Sequence, residues 1–149
     1  MDEERIRRIV SEMKFSGGKG EMAVEDIARL QPGLAQLMPA IGDHTWKLYY
    51  TGKARNWPYA LYQWKVARKL FEQCAVTRPK HRPAIDQYLR DDWAPIQDAI
   101  QREDLDAFLA SFEKAVVSGN VWHERKGKPF IVWKVPDHPP PDLDLTPRG

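Results

Sequence analysis

The sequence predicts an all-α protein whose four amphipathic helices pack as an up-and-down, antiparallel four-helix bundle. From Val24 onward, apolar residues recur at steps of three and four, which is the period of an α-helix. Prolines and glycines divide this pattern into four long stretches joined by short loops, and short loops favour antiparallel neighbours. Segments that alternate like β-strands are too few for an α/β fold.

Residues 1–23 are predicted to form an N-terminal arm and linker. Residues 1–14 have the pattern of a short amphipathic helix, and residues 16–20 are glycine-rich and predict a flexible joint. The apolar face of this helix consists of Ile6, Ile9, Val10 and Met13. Three arrangements of the arm stay open: packing on the body, packing on a second subunit, or disorder.

The first two long helices have clear boundaries in the sequence. The first is predicted from about residue 33 to residue 54, and Pro39 marks either a kink or its true start. The second begins after Asn56, a favourable N-cap, with Pro58 in its first turn. This helix is predicted to continue to about Cys74.

The third and fourth helices complete a bundle over residues 24–128. The third is predicted over residues 82–101, with a kink or break near Trp93 because Pro95 lies within it. The fourth is predicted over residues 104–125 and stops before Gly127.

Residues 129–149 are predicted to form a C-terminal tail that packs on the bundle. Residues 130–135 alternate like a strand but have no obvious partner, so we expect an extended segment across the bundle. The five prolines that follow favour extended structure.

Composition excludes several classes of function. The formal net charge is only +2, so the chain has no general attraction for nucleic acid. No apolar stretch is long enough to span a membrane, and the N-terminus has no signal-like apolar run, so we expect a cytoplasmic protein. Cys74 is the single cysteine and is expected to be a buried small apolar residue. The arm and the many tryptophans indicate apolar surface that a homodimer would cover.

The sequence contains four histidines but no pattern typical of a metal site. No inward-facing Glu-x-x-His motif occurs, which argues against a ferritin-like di-iron site. His44 and His123 are predicted to lie roughly 12 Å apart along the bundle, at about 1.5 Å per residue, which is too far to share one ion. We therefore predict no metal, and we keep a metal-binding or redox role for His44 as an alternative.

Aromatic and polar residues cluster near the loop between the first two helices. They predict a pocket for a flat or anionic small molecule, with an arginine holding the anion and the rings enclosing the rest. The candidate ligand-binding residues are Trp46, Tyr50, Trp57, Trp64, Arg68 and His44. The alternative is a tryptophan-rich core with Arg68 paired to an acidic residue at the surface.

The fourth helix ends in residues 119–123, which are similar to a c-type haem attachment site without its cysteines. Gly119 and Trp122 occupy the two cysteine positions, and His123 follows them. With this segment, the helical layout of residues 24–145 resembles the cytochrome c-prime-like bundles.

The chain also resembles a bacterial group of such bundles that share two further motifs. One is Gly-Asn-Trp before the second helix, present here as Arg55, Asn56 and Trp57, with Arg55 in the glycine position. The other is Pro-Pro-Asp-Leu-Asp-Leu near the end, which is present at residues 140–145.

The resemblance implies a haem-binding ancestor, in which two cysteines form thioether bonds and the histidine binds iron. Gly119 cannot form such a bond and Trp122 crowds the porphyrin space, so covalent haem is excluded on chemical grounds. His123 is expected beside Met38 on the first helix, a Met/His pair that resembles the haem ligands of four-helix b-type cytochromes. Noncovalent haem bound by His123 and Met38 is therefore an alternative. The simpler reading makes Met38 a core residue and His123 a helix-end cation.

The sequence as a whole predicts a binding protein without a cofactor. No nucleophile, phosphate-loop or dinucleotide motif is present, which argues against catalysis. We expect a helical module that binds a small aromatic or anionic molecule or a protein partner, including a second copy of itself.

Overall fold

The computed structural model describes residues 2–17 and 20–148, and most of them are helical. A single two-stranded sheet occurs among these residues, so the predicted all-α class is confirmed. The chain forms two compact units, one ending at Pro32 and the other beginning at Gly33.

The N-terminal unit combines two helices with a β-hairpin. Helix α1 (Glu3–Glu12) begins after Asp2, whose carboxylate accepts a hydrogen bond from Arg5 N at 2.7 Å. Strands β1 (Lys14–Gly17) and β2 (Gly20–Ala23) pair antiparallel, and helix α2 (Val24–Leu30) follows.

The flexible joint predicted at residues 16–20 is wrong for the part that the structure describes. Ser16 and Gly17 belong to β1, Gly20 begins β2, and Phe15 pairs with Met22. Gly18 and Lys19 lie outside the described residues.

The first two long helices of the second unit begin where they are predicted to, and the second ends at Thr77, three residues after the predicted end at Cys74. Helix α3 (Leu34–Lys53) begins after Gly33, so Pro39 lies inside it and does not mark its start. Helix α4 (Trp57–Thr77) begins after Asn56, whose side-chain Oδ1 accepts from Tyr59 N at 3.3 Å.

The α-helical geometry of the predicted third helix is interrupted near Trp93 by a π-helical turn, just before Pro95. A 3-10 turn (Pro79–His81) leads into α5 (Arg82–Tyr88), a π-helical turn (Leu89–Trp93) and α6 (Ala94–Gln101). Helix α7 (Leu105–Arg125) follows after Asp104, whose carboxylate accepts from Ala107 N at 3.0 Å.

Helices α3, α4, α6 and α7 pack around one apolar core. At one end of the unit, a Cβ on Gly52 would lie 2.2 Å from the Phe108 ring, and the Tyr49 and Phe112 rings are 5.1 Å apart. These contacts make α3 and α7 antiparallel and place the start of α3 beside the end of α7. Cys74 is fully buried in this core, and burial raises the pKa of its thiol.

The described chain after α7 contains no helix or strand and is held to the helices by side-chain donors. Tyr50 donates its hydroxyl to Pro136 O at 2.9 Å, and Trp46 donates its indole N–H to His138 O at 2.9 Å. These bonds fix the segment along the solvent side of α3.

Candidate functional site

A cavity of about 700 Å³ lies within the second unit, between α3, α5, α7 and the C-terminal segment. Small-molecule sites in proteins typically enclose about 300 to 1,000 Å³, so the volume suits an organic ligand. Helix α3 lines the cavity with Leu34, Ala35, Met38, Pro39, Ile41, Gly42 and Thr45. The chain from α4 to the π-helical turn adds Phe71, His81, Ala84, Ile85, Tyr88 and Trp93. Helix α7 and the chain after it add Phe112, Ala115, Val116, Gly119, Asn120, Trp122, His123, Lys126, Lys128, Ile131 and Trp133.

The cavity has a buried end and an exposed end. Its lining follows α7 from Phe112 to Lys126, about 20 Å at a rise of about 1.5 Å per residue. Phe112 and Trp93 are almost completely buried, whereas Lys126 and Lys128 are exposed. A ligand would therefore enter at the end of α7 and extend toward Trp93.

The lining is apolar and aromatic, and its ionisable groups are all basic or neutral. The aromatic residues are Phe71, Tyr88, Trp93, Phe112, Trp122 and Trp133. His81, His123, Lys126 and Lys128 also line the cavity, and the described lining includes no Asp or Glu. This surface complements a molecule with a flat apolar body and a negative group at one end.

The haem-like segment of the sequence lies on this cavity. Gly119, Asn120, Trp122 and His123, four of the five residues of that segment, contribute to the lining. Met38 lines the same cavity, so both residues of the predicted Met/His pair face one space.

One wall of the cavity is the C-terminal segment, which α7 holds with side-chain hydrogen bonds. Asn120 Nδ2 donates to Trp133 O and Asn120 Oδ1 accepts from Trp133 N, both at 2.9 Å. His123 Nδ1 lies 3.0 Å from Ile131 O. Because a carbonyl oxygen only accepts, Nδ1 is the donor in this hydrogen bond, and Nε2 is the ring nitrogen that it leaves free.

Two titratable groups of the lining have shifted pKa values. Burial, with the nearby charges of Lys80 and Lys126, lowers the pKa of His81 from its ordinary value of 6.5. Burial and the Asp92 carboxylate raise the pKa of Tyr88. The Tyr88 hydroxyl therefore stays protonated and donates to Ala115 O at 3.1 Å.

The predicted ligand-binding aromatics have other contacts in the structure. Trp46 and Tyr50 hold the C-terminal segment, as described above. Trp57 is buried with its ring 6.0 Å from that of Phe108, and Trp64 donates its indole N–H to Trp93 O at 3.0 Å. Each of these aromatic residues thus has a structural partner.

The two predicted polar ligand groups, His44 and Arg68, contact different partners. His44 Nδ1 lies 2.7 Å from Gln63 Oε1. The Arg68 side chain is 44% exposed and pairs with Glu72 at 2.9 Å, one helical turn away, which is the surface pairing that the alternative interpretation describes. None of the six residues predicted for this pocket lines the cavity.

Sequence reasoning missed the cavity-lining role of Tyr88, Trp93 and Trp133. The signal for Trp93 is the helix break that Pro95 predicts, since a break reorients the side chains on both sides of it. Trp133 comes from the segment that alternates like a strand, and nothing local indicates which helices it meets.

No protein-family model, curated protein or solved structure matches the chain. Within residues 2–17 and 20–148, no group of three or more His, Cys, Asp or Glu side chains is arranged to hold a metal ion. No helix of the same residues is both long enough and apolar enough to cross a membrane.

Proposed function

We propose that the protein is a binding protein for a flat, mostly apolar organic acid, which it holds in the cavity between α3, α5 and α7. The observation that supports this proposal is the combination of aromatic walls with basic residues at the exposed end. The ligand class agrees with the sequence-based expectation of an aromatic or anionic molecule, but its site differs from the six residues predicted.

The two parts of the ligand would be recognised by different physical effects. Burying an aromatic ring system gains about 25 cal/mol for each Å² of apolar surface removed from water. Lys126 and Lys128 are solvent-exposed, so each contributes a small, salt-dependent attraction to a carboxylate. Affinity therefore comes from the cavity, and the preference for an acid comes from its exposed end.

Calorimetric titration with 2-naphthoic acid and the neutral 2-naphthylmethanol tests this proposal. Ala84 lines the cavity, so Ala84→Phe should narrow it and weaken binding of both compounds. Lys126→Gln should weaken the acid about two- to fivefold and leave the alcohol unchanged.

Two control variants separate the cavity from the aromatic cluster near His44. Lys69 is an exposed lysine of α4 that does not line the cavity, so Lys69→Gln should leave both affinities unchanged. Arg68→Ala should have no effect either. Loss of binding in Arg68→Ala but not in Ala84→Phe would place the ligand at the originally predicted residues and overturn the cavity proposal.

We propose noncovalent haem as a second candidate ligand, in an up-and-down four-helix bundle derived from a cytochrome c-prime-like ancestor. His123 supports it, because Ile131 O fixes the Nδ1 proton and leaves Nε2 as a donor for iron, a frequent arrangement of metal-binding histidines. Met38 lines the same cavity and would supply a second ligand. Bound haem would add redox chemistry at its iron.

A haem titration tests the second candidate. A shifted Soret band that disappears in His123→Ala, and persists in the matched variant His138→Ala, would support it. An unchanged spectrum in the wild-type protein rules haem out and leaves the organic-acid proposal intact.

We further propose that the N-terminal unit mediates a homodimer. Apolar residues on one side of α1 are exposed, including Ile6 at 44% and Ile9 at 45%. Native mass spectrometry should show a dimer for the wild-type protein and a monomer for Ile9→Glu. The neighbouring exposed substitution Arg8→Glu is the matched control and should stay dimeric.

A further inference from the structure

The entrance of the cavity receives basic residues from two separate parts of the chain. Lys126 and Lys128 follow the end of α7 and line the cavity. His81, the last residue of the 3-10 turn, lines the same cavity, and the exposed Lys80 directly precedes it. The fold therefore brings the turn and the end of α7 to one space, although they are distant in the sequence.

The half-buried ring of His81 lies in a positive electrostatic potential. Burial lowers the pKa of His81, and the charges of Lys80 and Lys126 lower it further, because both disfavour a protonated ring. No carboxylate of the described residues offsets these two charges at the ring. Two lysines from different segments therefore lie near one side chain of the cavity wall, and such a potential attracts anions.

The lysines at this entrance have no acidic partner in the described part of the chain. Lys80, Lys126 and Lys128 form no ion pair with any residue there. The acids that lie closest to them in the sequence are Asp86 and Glu124, and neither of these lines the cavity. A ligand with a single negative charge would leave most of this positive charge uncompensated.

We propose that the acid group of the ligand is a dianion of the phosphate monoester class, which Lys80, Lys126 and Lys128 bind together while the aromatic body occupies the cavity. This inference rests on the proposed function and names the class of acid. A phosphate monoester carries a charge of about −1.5 to −2 at pH 7 and has three strong acceptor oxygens. Lysine binds phosphate as a point charge, without the fixed geometry of an arginine pair, which suits exposed and flexible side chains.

Three 2-naphthyl compounds of different charge test the inference. The neutral compound is 2-naphthylmethanol, and 2-naphthyl sulfate is a monoanion. The third, 2-naphthyl phosphate, has nearly the shape of the sulfate but is a dianion at about pH 8, above its second pKa of about 6. Calorimetry at low salt should show that the wild-type protein binds the phosphate about five- to tenfold more tightly than the sulfate. At about 1 M salt, where the Debye length is about 3 Å, this preference should nearly disappear.

A pair of lysine variants tests whether the turn contributes to the site. Lys80→Gln should reduce the preference for phosphate over sulfate about two- to threefold. Lys69→Gln removes an exposed lysine of α4 that does not line the cavity, so it should keep the full preference. A Lys80→Gln variant with the full preference would overturn the assignment of the turn to the site. The wild-type ratio itself needs no variant to fold.

The remaining outcomes separate this inference from the proposed function. Equal affinities for the sulfate and the phosphate, with 2-naphthylmethanol still bound, would overturn the inference and leave the proposed function standing. Displacement of 2-naphthyl phosphate by an equal concentration of inorganic phosphate would also overturn it, because the anion would then bind without the cavity. Failure of all three compounds to bind would overturn the proposed function, and the inference with it.

Discussion

Asn56 donates its side-chain Nδ2 to Leu145 O and to Thr146 O, each at 3.3 Å, across 89 and 90 residues of chain. The same side chain accepts from Tyr59 N through Oδ1 and so caps α4. The two motifs on which the sequence resemblance rests, residues 55–57 and 140–145, therefore meet in the structure. A single buried amide joins the start of a helix to the end of the tail.

Substitution of Asn56 should separate these two roles. Asn56→Asp keeps a good N-cap acceptor but loses both donor bonds, so we expect the free energy of unfolding to fall by about 1 kcal/mol. Asn56→Ala also loses the cap, so its free energy of unfolding should fall by about 1 kcal/mol more. Urea denaturation measures both losses, and hydrogen exchange should report faster opening of residues 142–146 in each variant. Equal losses in the two variants would show that the cap contributes nothing.

Arg55 ends α3 in a left-handed conformation, with φ at 58°. Asn56 N donates to Thr51 O and Arg55 N donates to Gly52 O, which is the hydrogen-bond pattern of a Schellman motif. That motif favours glycine at the left-handed position, where this chain has Arg55.

Arg55→Gly should therefore stabilise the protein by about 0.5 to 1 kcal/mol, because a side chain with positive φ is strained. The control is Lys53→Gly, inside the last turn of α3, which should destabilise by about 1 kcal/mol. Thermal and urea denaturation measure both. A destabilised Arg55→Gly would mean that the arginine side chain makes a stabilising contact larger than the backbone strain.

Sequence reasoning predicted the helices because their signals are local. Asn56 and Pro58 mark a start within three residues, and Pro95 marks a break beside Trp93. The cavity is different, because its walls come from residues as distant as Leu34 and Trp133. Periodicity assigns residues to helix faces but does not show whether the facing side chains fill the space between them.

The predicted ligand residues illustrate the same limit. Trp46 and Tyr50 have the composition of a binding pocket, yet their partners are carbonyls more than 80 residues away. Residues 119–123 were informative because they lie at one end of the cavity and nearly all of them face it.

Three glycines inside helices differ in the space available for a side chain. A Cβ on Gly119 would lie 3.7 Å from its nearest neighbour, an ordinary contact. A Cβ on Gly42 would lie 3.0 Å from the Trp133 indole, and one on Gly52 would lie 2.2 Å from Phe108. Each glycine lowers helix propensity by a similar amount, so alanine substitutions isolate the effect of packing.

Gly119→Ala should stabilise the protein by about 0.5 to 1 kcal/mol. Gly52→Ala should destabilise it by about 1 to 3 kcal/mol because the Phe108 ring must move. The change in stability caused by Gly42→Ala should lie between these two values. The same substitution should shift the fluorescence of Trp133. The melting temperatures of the three variants measure this order. If Gly52→Ala had the highest melting temperature of the three, the result would contradict the close crossing of α3 and α7.

Ligand binding should depend on pH through His81. The pKa of His81 lies below 6.5 in the free protein, so its ring is mostly neutral at pH 7. A bound carboxylate favours the protonated ring and raises this pKa, and by linkage the acid must then bind more tightly as the pH falls from 7 toward 5.5. His123 also lines the cavity and requires its own control.

NMR titration of the histidine rings measures this effect directly. The His81 midpoint should rise when 2-naphthoic acid is added, and His81→Gln should remove the corresponding part of the pH dependence of affinity. His123→Gln, tested alongside, identifies any contribution from the second ring. If the acid left the titration midpoint of His81 unchanged, the carboxylate would not bind near the His81 ring.

The final prediction concerns the two missing cysteines. If the cavity derives from a haem site, restoring Cys at positions 119 and 122 beside His123 should restore haem attachment. Gly119 has room for a Cβ, and replacing Trp122 by cysteine removes an indole from the lining. The double variant Gly119→Cys/Trp122→Cys, exported and co-expressed with a c-type haem attachment system, should gain covalent haem.

The measurement is the intact mass under denaturing conditions, together with haem staining of a denaturing gel. Adding His123→Ala to the double variant should abolish haem attachment or the normal iron spectrum, because the histidine ligand is lost. Gly119→Ser/Trp122→Ser opens the cavity equally without thiols and should acquire no covalent haem. A folded double-cysteine variant that stays free of haem would argue against the proposed ancestry, while leaving the organic-acid proposal to its own titrations.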